Sequence, residues 1–430
     1  MKNYLDISNQ YRNSRFLDFF TFFCPTLILI EIDLGGRLFL PELLLISILP
    51  LLVAKKGWLL LQTKPRLILI LGMIWLIAQI ITDLIRMIPF EDFSRGWAKI
   101  IFLMLNFSAI YLLLVDNVKR IILFTVGFAI GDLLSFYINP SEFALAAPWK
   151  FGLATPTSQI IILIAQWRII TRIRLLQELL IIVFGGLAIY LGSRSLGGFF
   201  ILSGLLLYIH HTPKVRNWFT KKRVSSMRAV LLFTIMSLSA WGMLTIYGIA
   251  ASSGMLGEKA EIKYHKQSGD YGVLLGGRVE ILASSQAIID SPLIGHGSWA
   301  KDPKYRLNLL ELANLGYEIN EQAILESKND RIPSHSHLFG AWVEAGILGA
   351  LFWVWVFTFV IHTLYKIFKI EHVLLPLLIT ILIVAAWSIL FSPFGALERL
   401  RWGFFLTLFL AAHRFIQQYE TNPHKNKTNI

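Results

Sequence analysis

The sequence predicts an all-α, polytopic membrane protein with about twelve transmembrane helices and a large, partly helical loop between helices 9 and 10. Composition is the first reason: of 430 residues, 55% are hydrophobic and 16% are charged, whereas soluble domains carry roughly 25% charged residues. The second reason is that apolar residues form blocks of about 20, the length that a helix needs to cross a bilayer. The third is that basic residues concentrate in alternate connections between these blocks.

The predicted spans are apolar runs bounded by charged or turn residues. In chain order they cover residues 16–34, 38–54, 66–85, 99–115, 119–138, 157–171, 175–192, 196–211, 229–250, 336–365, 373–392 and 402–416. The sixth is short and carries Gln159, Gln166 and Arg168. The first block lacks the short apolar core and small-residue cleavage site of a signal peptide, so we expect it to remain in the membrane.

The distribution of lysine and arginine predicts that both termini are cytoplasmic. With that orientation, more than half of the 40 basic residues lie in cytoplasmic connections and tails. External connections hold fewer, among them Arg37, Arg95, Lys99 and Arg399. The net charge of +13 is therefore interpreted as a consequence of topology, and neither a soluble multidomain enzyme nor a nucleic-acid-binding protein is expected.

One external connection is long enough to form a separate unit. Residues 251–334 are mostly polar, and apolar residues at helical spacing predict helices over 278–290 and 305–315. The chain is thus divided into 1–250 with helices 1–9, 251–334 as the large loop, and 335–430 with helices 10–12 and a cytoplasmic tail. Long ordered loops are more often functional than passive, so the catalytic and binding residues are expected on the external side of the membrane.

The first candidate is Arg194, in the short connection Gly192-Ser193-Arg194-Ser195 between spans 7 and 8. This connection is so short that Arg194 is expected at or just below the membrane surface. A charge at the bilayer centre costs at least about 2.5–3.5 kcal/mol, so an arginine held in the membrane usually has an anionic partner. The alternative is a turn residue whose guanidinium group reaches the water.

The second candidate is Arg278, which follows Gly276-Gly277 at the start of the first loop helix, before the turn Gly295-His296-Gly297. Backbone N–H groups at a helix start and an arginine together suit a phosphate oxygen. The alternative is an ordinary helix cap in which Arg278 pairs with Glu280 or with solvent.

The third candidate is His335, in the segment Ser334-His335-Ser336-His337 before span 10. Ser336 is predicted to cap that span, which places His335 just outside the helix. Histidine, with a pKa near 6.5, is a natural acceptor for a hydroxyl proton. The alternatives are histidines bonded to backbone, and a metal site that lacks further clustered ligands. Glu344 within the span is expected to orient a catalytic group or to pair with an arginine.

Together these segments resemble the O-antigen ligase and O-antigen polymerase superfamily of bacterial membrane glycosyltransferases. The resemblance lies in Ser193-Arg194, in the run from Gly277-Arg278 to Gly295-His296-Gly297, and in His335 with the following Glu344-Ala345-Gly346. In the family the histidine is commonly followed by asparagine, where this chain has Ser336. Trp149-Lys150-Phe151-Gly152 is similar to a further family motif in which arginine is frequent at the lysine position. With the spans and the long loop, the resemblance covers most of the chain.

The resemblance implies glycosyl transfer on the periplasmic face of the bacterial cytoplasmic (inner) membrane, without a nucleotide sugar, cofactor or metal. The donor would be a glycan linked through diphosphate to undecaprenol. The acceptor would be the lipid A–core of lipopolysaccharide, in a ligase, or another lipid-linked repeat unit, in a polymerase. Membrane lipid and other polysaccharide-assembly membrane proteins are further candidate partners, and nucleic acid is not expected.

The resemblance also assigns roles to the candidate residues. Arg194 and Arg278 would bind the diphosphate, and His335 would be the general base. The further substrate-binding residues would be Lys150, His296, His337 and Glu344.

The main alternative is a polytopic transporter or a flippase for lipid-linked glycans. A flippase is expected to line its path with charges in the middle of its spans, but few such charges occur, namely Asp83, Asp132 and Glu344. Asp83, Glu91 and Asp92 could form a carboxylate cluster near an external loop, but a solvated loop is the expected arrangement. The third interpretation is a scaffold subunit without an active site, in which Arg194 and His335 could be replaced without loss of function.

Overall fold

A computed structural model describes residues 15–33, 35–173, 175–213, 234, 242, 245–255, 257–268, 280–310 and 330–421. These residues are mainly helical, which confirms an all-α class. The α-helices whose two ends the structure describes are α1 (Arg15–Thr26), α2 (Leu40–Lys56), α3 (Thr63–Ile85), α4 (Phe90–Leu114), α5 (Val118–Ile138), α6 (Glu142–Ala146), α7 (Ala154–Ala165), α8 (Arg168–Arg172), α9 (Leu176–Tyr190), α10 (Arg194–His211), α11 (Glu258–Gln267), α12 (Glu280–Asp290), α13 (Pro303–Leu307), α14 (His337–Lys366), α15 (Leu375–Phe391) and α16 (Ala396–Thr421).

Within this described part of the chain, five helices are long and apolar enough to cross a membrane: Leu40–Leu61, Thr63–Ile85, Phe90–Leu114, Val118–Ile138 and His337–Lys369. Leu176–Tyr190 and Leu375–Phe391 are shorter apolar helices. The protein is therefore a multi-pass membrane protein. Most of the predicted ninth span, 229–250, lies outside the described residues, so the count of twelve, the division at 250 and 334, and the position of both termini stay predictions.

A β-hairpin separates the first two spans. Strands β1 (Glu31–Asp33) and β2 (Arg37–Phe39) pair antiparallel, with Glu31 opposite Phe39 and Asp33 opposite Arg37. The prediction that helix continues to residue 34 and resumes at 38 was therefore wrong at these ends. Charged residues alternate with apolar ones here, and Gly35, with φ +75°, takes a turn conformation that other residues rarely adopt.

Two long helices begin earlier than predicted because their first turns are charged. Helix α4 begins at Phe90 and not at 99, and α16 begins at Ala396 and not at 402. Charged residues within these first turns, Asp92 and Arg399 among them, have partners inside the protein. A span predicted from hydropathy begins only after such residues, although the helix itself already includes them.

The sixth predicted span is short in the structure. Helix α7 has 12 residues, which at about 1.5 Å per residue is well below the roughly 30 Å of a hydrocarbon core. The chain is extended at Trp167 (φ −63°, ψ 137°), where α8 begins as a separate helix.

Close helix packing fixes the end of the molecule that carries Arg194. Helices α9 and α10 form a hairpin joined by three residues, Leu191 to Ser193. A Cβ atom on Gly197 would lie 2.4 Å from the carbonyl oxygen of Gly185, so the two backbones touch and neither position has room for a larger residue. This contact holds Arg194, the first residue of α10, at a fixed position.

An aromatic cluster forms the centre of the bundle. Trp75 of α3, Trp353 of α14 and Trp402 of α16 are all fully buried. The ring centroids of Trp353 and Trp402 are 4.7 Å apart, and those of Trp75 and Trp353 are 5.9 Å apart. A smaller apolar cluster, containing Ala283, Ala287 and Tyr305, packs against Val343 and so attaches α12 and α13 to α14.

Candidate functional site

A cavity of about 770 Å³ opens at one end of the helix bundle. Its wall combines the β-hairpin, the N-terminal parts of α4, α14 and α16, and the segments around residues 299 and 331–336. We call this end of the bundle the cavity end. Among the described residues, the wall contains Arg37, Arg95, Lys99, Arg331 and Arg399 but only two carboxylates, Asp33 and Glu344. The cavity is therefore strongly cationic.

Arg399 is held by a buried ion pair with Glu42 at the start of α2. Its Nε and Nη2 atoms donate to the two carboxylate oxygens of Glu42, each at 2.7 Å. The side chain of Glu42 is 0% exposed and that of Arg399 is 8% exposed. Asn106 Nδ2 and the backbone N–H of Phe39 also donate to Glu42, at 2.8 and 3.1 Å. This network joins α2, α4 and α16 beneath the cavity.

Glu344 pairs with Lys99 of α4 inside the cavity wall, and both side chains are mostly buried, at 17% and 15% exposed. A pairing of Glu344 was expected from the sequence, but the partner is a lysine from a span distant in the chain and not an arginine. Because Lys99 and Glu344 neutralise each other, the positive charge of the cavity wall comes from its arginines.

Two of those arginines converge on one indole ring. The guanidinium carbon of Arg331 lies 3.4 Å from the ring centroid of Trp299, and that of Arg95 lies 5.4 Å from it. Residues 300–302 and 330–332 are held side by side by backbone hydrogen bonds, Ile332 to Ala300 at 2.9 Å and Asp302 to Asp330 at 2.8 Å. The pKa of Arg331 is lowered, first by partial burial and also by the nearby charge of Arg95, while Asp92 and Glu344 act in the opposite direction.

His335 lies immediately beside this cavity. Ser334 and Ser336 line the cavity wall, whereas His335 Nδ1 is 3.9 Å from Glu280 Oε1 at the start of α12. Ser336 caps α14 by accepting a hydrogen bond from the N–H of Phe339 at 3.1 Å, which confirms the predicted cap. The imidazole is 36% exposed. A carboxylate at this position can stabilise the protonated form of the imidazole.

Arg194 lies at the same end of the bundle as His335. Helices α10 and α15 are antiparallel: His210 contacts the carbonyl of Ile370 before α15, and Phe199 packs against Trp387 near its end. The end of α15 in turn accepts a hydrogen bond from Ser336, at Ile389 O. The guanidinium group of Arg194 lies 4.8 Å from the ring centroid of Tyr247.

Helix α14 is interrupted at Gly346, where φ is 65° and ψ is −162°. The interruption deprives the carbonyls of Val343 and Glu344 of their usual helical partners. The N–H groups of His296 and Gly297 donate to those carbonyls instead, at 2.7 and 3.0 Å. The Gly-His-Gly turn predicted from the sequence thus docks into the break in α14.

The same turn is held from α3. Thr82 Oγ1 donates to Ile294 O at 2.6 Å, and Arg86 Nε donates to Gly295 O at 3.1 Å. His296 Nε2 also bonds the carbonyl oxygen of Ala287 in α12 at 2.8 Å, so its N–H is the donor. These contacts fix α12 and therefore the carboxylate beside His335.

We expect Gly346→Ala to destabilise this docking strongly. A Cβ atom at Gly346 would lie 2.0 Å from the carbonyl oxygen of Leu293, and the positive φ is itself unfavourable for alanine, so a loss of about 1–3 kcal/mol or more is expected. Thermal unfolding of the purified protein measures it. Gly186→Ala, in helix α9 with no atom within 4 Å of the added Cβ, is the control and should not lower stability; equal losses would contradict the prediction.

His337 is buried and bonded through both ring nitrogens. Its Nδ1 lies 2.6 Å from Ser392 O, so the N–H is on Nδ1, and its Nε2 accepts a hydrogen bond from Trp402 Nε1 at 2.7 Å. This occupies the lone pair that a base would need. The contacts indicate a structural link between α14 and α16, and a role in substrate binding stays a prediction.

The remaining predicted site residues are placed as follows. Lys150 lies in a π-helical turn, Trp149–Leu153, with its ammonium group 4.5 Å from the centroid of the Phe151 ring. Arg278 lies outside the described residues, two positions before Glu280. The substrate-binding roles of Lys150, His296 and Glu344, and the role of Arg278, stay predictions.

The expectation that Asp83 is solvated was wrong. Asp83 is only 3% exposed. It accepts hydrogen bonds from the N–H and Oγ of Ser298, both at 2.6 Å, and from Trp97 Nε1 at 2.7 Å. Asp83 thereby anchors the segment that carries Trp299. Ser298 is 215 positions from Asp83 in the chain, so sequence spacing gives no signal for this contact.

Comparison with known proteins identifies one family. Residues 179–354 match the family model described as O-Antigen ligase. This range contains Arg194, Arg278, His335 and Glu344. No curated protein and no solved structure matches the chain.

Proposed function

Because residues 179–354 carry a domain of the O-antigen ligase family, we propose that this protein transfers a glycan from undecaprenyl diphosphate to a glycolipid acceptor on the periplasmic face of the inner membrane. The acceptor is the lipid A–core in a ligase or another lipid-linked repeat unit in a polymerase. The observation that carries the proposal is that Arg194 and His335, both within the matched range, lie at the same end of the bundle.

In the proposed reaction, His335 accepts the proton from the attacking hydroxyl group. The hydroxyl oxygen forms the new bond to the anomeric carbon of the donor glycan, and the bond from that carbon to the diphosphate oxygen breaks with its electron pair. Glu280, 3.9 Å from His335 Nδ1, stabilises the imidazolium that forms. Ion pairs and catalytic contacts are often longer in unliganded structures than in the reacting complex.

Arg194 and Arg278 are proposed to bind the diphosphate and to stabilise the negative charge that develops as it leaves. Arg194 follows Ser193 at the start of α10, where the helix dipole also favours an anion. Only Val279 separates Arg278 from Glu280 in the sequence, and Glu280 is the residue beside His335. The proposal therefore brings both arginines and the base to one diphosphate-linked glycan.

We expect Arg194→Ala to reduce transfer by at least about 100-fold, because an electrostatic contact to the developing charge contributes on the order of 2.7–4 kcal/mol. Arg194→Lys should retain part of the activity, since it keeps the charge and loses the paired donors. The measurement is the amount of polymer-bearing glycolipid on cells that express each variant at equal membrane levels. Arg172→Ala, an exposed arginine in α8, is the control; full activity of Arg194→Ala would contradict the assignment.

A deletion strain separates the two forms of the proposed reaction. Long glycan chains retained on the carrier lipid indicate loss of a ligase, and single repeat units indicate loss of a polymerase. Because loss of a flippase also accumulates single units, purified protein in detergent is supplied with lipid-linked donor and acceptor, where no bilayer has to be crossed. Formation of the lengthened glycolipid supports the proposal. The proposal is contradicted if the protein restores the deletion strain when it is expressed there but forms no lengthened glycolipid after purification.

A further inference from the structure

The end of the bundle opposite the cavity end carries a second group of cations. Lys64 lies in the first turn of α3, Lys366 is the last residue of α14, and Lys369 follows it within three positions. Glu420 of α16 contacts Lys369 at 2.6 Å and Lys366 at 4.0 Å. Within the described residues, Glu420 is the carboxylate that pairs with these lysines. One negative charge therefore offsets only part of three positive charges.

Two histidines belong to the same group. The charges of Lys64, Lys366 and Glu420 act on the imidazoles of both His362 and His413. An imidazole keeps at least one N–H that can donate to an anion, whether it is charged or neutral. These side chains come from three helices that are distant in the chain. Membrane topology requires basic residues in the connections but does not require them to converge in this way.

The start of α3 is set back from the end of α14, which creates a notch between them. The ammonium group of Lys64 lies 5.7 Å from the ring centroid of Trp355 and 5.3 Å from that of Phe359. From Phe359 to Lys366 the helix rises by about 10 Å, so the last two turns of α14 extend beyond Lys64. Lys64 is half-buried and His362 is exposed, so the notch is open. We call it the lysine notch, and the side chains around it are Lys64, His362, Lys366 and His413.

The lysine notch adjoins an apolar face of α14 that the described residues leave exposed. Leu351, Val354 and Ile361 are 42%, 45% and 39% exposed. Their spacing places them on the same side of the helix as His362 and Lys366. Because α14 is long and apolar enough to cross a membrane, this face meets lipid chains, and the cations at its end meet the headgroup region. A ligand that fits both parts combines apolar chains with an anionic head.

We propose that the lysine notch binds the phosphate of an anionic membrane phospholipid through Lys64 and Lys366, with the acyl chains along the exposed face of α14. His362 and His413 donate further hydrogen bonds to the phosphate oxygens. Basic pockets between transmembrane helices bind lipid headgroups by the same combination of charge and apolar surface. A free phosphate ion would use the cations but not the apolar face, so the lipid is the assigned ligand. This site does not depend on the proposed function, whose residues lie at the other end of the bundle.

The first test measures binding of dioleoyl phosphatidylglycerol to the purified full-length protein by native mass spectrometry. Lys64→Gln and Lys366→Gln should each weaken the apparent affinity for the most tightly bound lipid about tenfold, because each removes a charge-assisted hydrogen bond to phosphate. Glu420→Gln should strengthen it, since this carboxylate competes with the phosphate for Lys366.

The matched control is Lys119→Gln. Lys119 lies at the start of α5, at the same end of the bundle, where it is 69% exposed and pairs with Asp18. This variant should bind the lipid as tightly as the parent. An affinity equal to that of the parent in either Lys64→Gln or Lys366→Gln would overturn the proposal, and so would an equal loss in the control.

The second test identifies which part of the lipid is recognised. Dioleoyl phosphatidylglycerol should bind at least about tenfold more tightly than dioleoyl phosphatidylcholine, in which the choline group offsets the charge of the phosphate. Inorganic phosphate at the same concentration should not displace the lipid. Equal affinity for the two lipids would show binding by the acyl chains alone, and displacement by inorganic phosphate would show a site for the free anion. Either result would overturn the proposal.

Thermal unfolding in detergent provides a measurement that does not depend on lipid counting. Without added lipid, the double variant Lys64→Gln/Lys366→Gln should unfold at a temperature at least as high as the parent, because it has less repulsion between like charges. Phosphatidylglycerol should raise the unfolding midpoint of the parent by binding to the folded state, and the double variant should lose this rise. An equal rise in both proteins would overturn the proposal, whether or not the transfer reaction is confirmed.

Discussion

Replacing His335 with alanine is expected to abolish transfer, with a loss of about 100- to 10,000-fold, because that is the usual contribution of a positioned general base. The imidazole is partly exposed and beside a carboxylate, at the edge of the cavity. The measurement is the initial rate of glycan transfer by the purified variant, supported by the amount of polymer-bearing glycolipid on complemented cells.

The matched control is His265→Ala, which removes an exposed histidine from α11 and should leave the rate unchanged. Since His335 precedes α14 and does not cap it, the variant should be inserted and as heat-stable as the parent. A stable His335→Ala protein with the parent rate would rule out the proposed base. Glu280→Gln should cause a smaller loss of rate, since the carboxylate acts only through the histidine.

The largest expected loss of stability follows Glu42→Gln. It removes the charge that neutralises Arg399 where Glu42 is 0% exposed, and breaking a buried ion pair by removing one partner costs about 3–5 kcal/mol. The free energy of unfolding, or the midpoint of thermal unfolding in detergent, should fall accordingly. The double variant Glu42→Leu/Arg399→Leu should recover much of the loss, because apolar residues can replace a buried ion pair at little cost.

Glu31→Gln is the control for this prediction. It removes the carboxylate of the pair with Arg37, 3.5 Å apart, in which the side chains are 29% and 65% exposed. Such exposed pairs contribute about 0–1 kcal/mol. An equal loss of stability in Glu31→Gln and Glu42→Gln would show that the buried Glu42–Arg399 pair is no more stabilising than the exposed Glu31–Arg37 pair.

Much of the helical framework could be predicted from the sequence because long apolar runs are a local signal. Eleven of the twelve predicted spans coincide with helices in the described residues, at least over their apolar parts. The N-cap at Ser336 was also predictable, since capping depends on neighbours within three positions. The glycine turn at Gly295 was recognised as a turn, but its docking partner, the break at Gly346, was not.

The cavity could not be predicted, because its cations come from separate parts of the chain. Arg37, Arg95, Arg331 and Arg399 lie in or near four different connections, and a count of basic residues for topology does not distinguish them from other basic residues. Their convergence depends on how α4, α14 and α16 pack. Ser298, the partner of Asp83, and Arg399, the partner of Glu42, are likewise distant in the chain, so burial of these carboxylates is visible only in three dimensions.

The break in α14 is the point at which this helix and the turn at His296 and Gly297 are joined by hydrogen bonds. Residues 337–345 are joined to residues 347–366 through one glycine, and the carbonyls at the junction are hydrogen-bonded to the turn at His296 and Gly297. The short first segment of α14, which follows His335 and Ser336, is therefore held in place by that turn as well as by the rest of the helix.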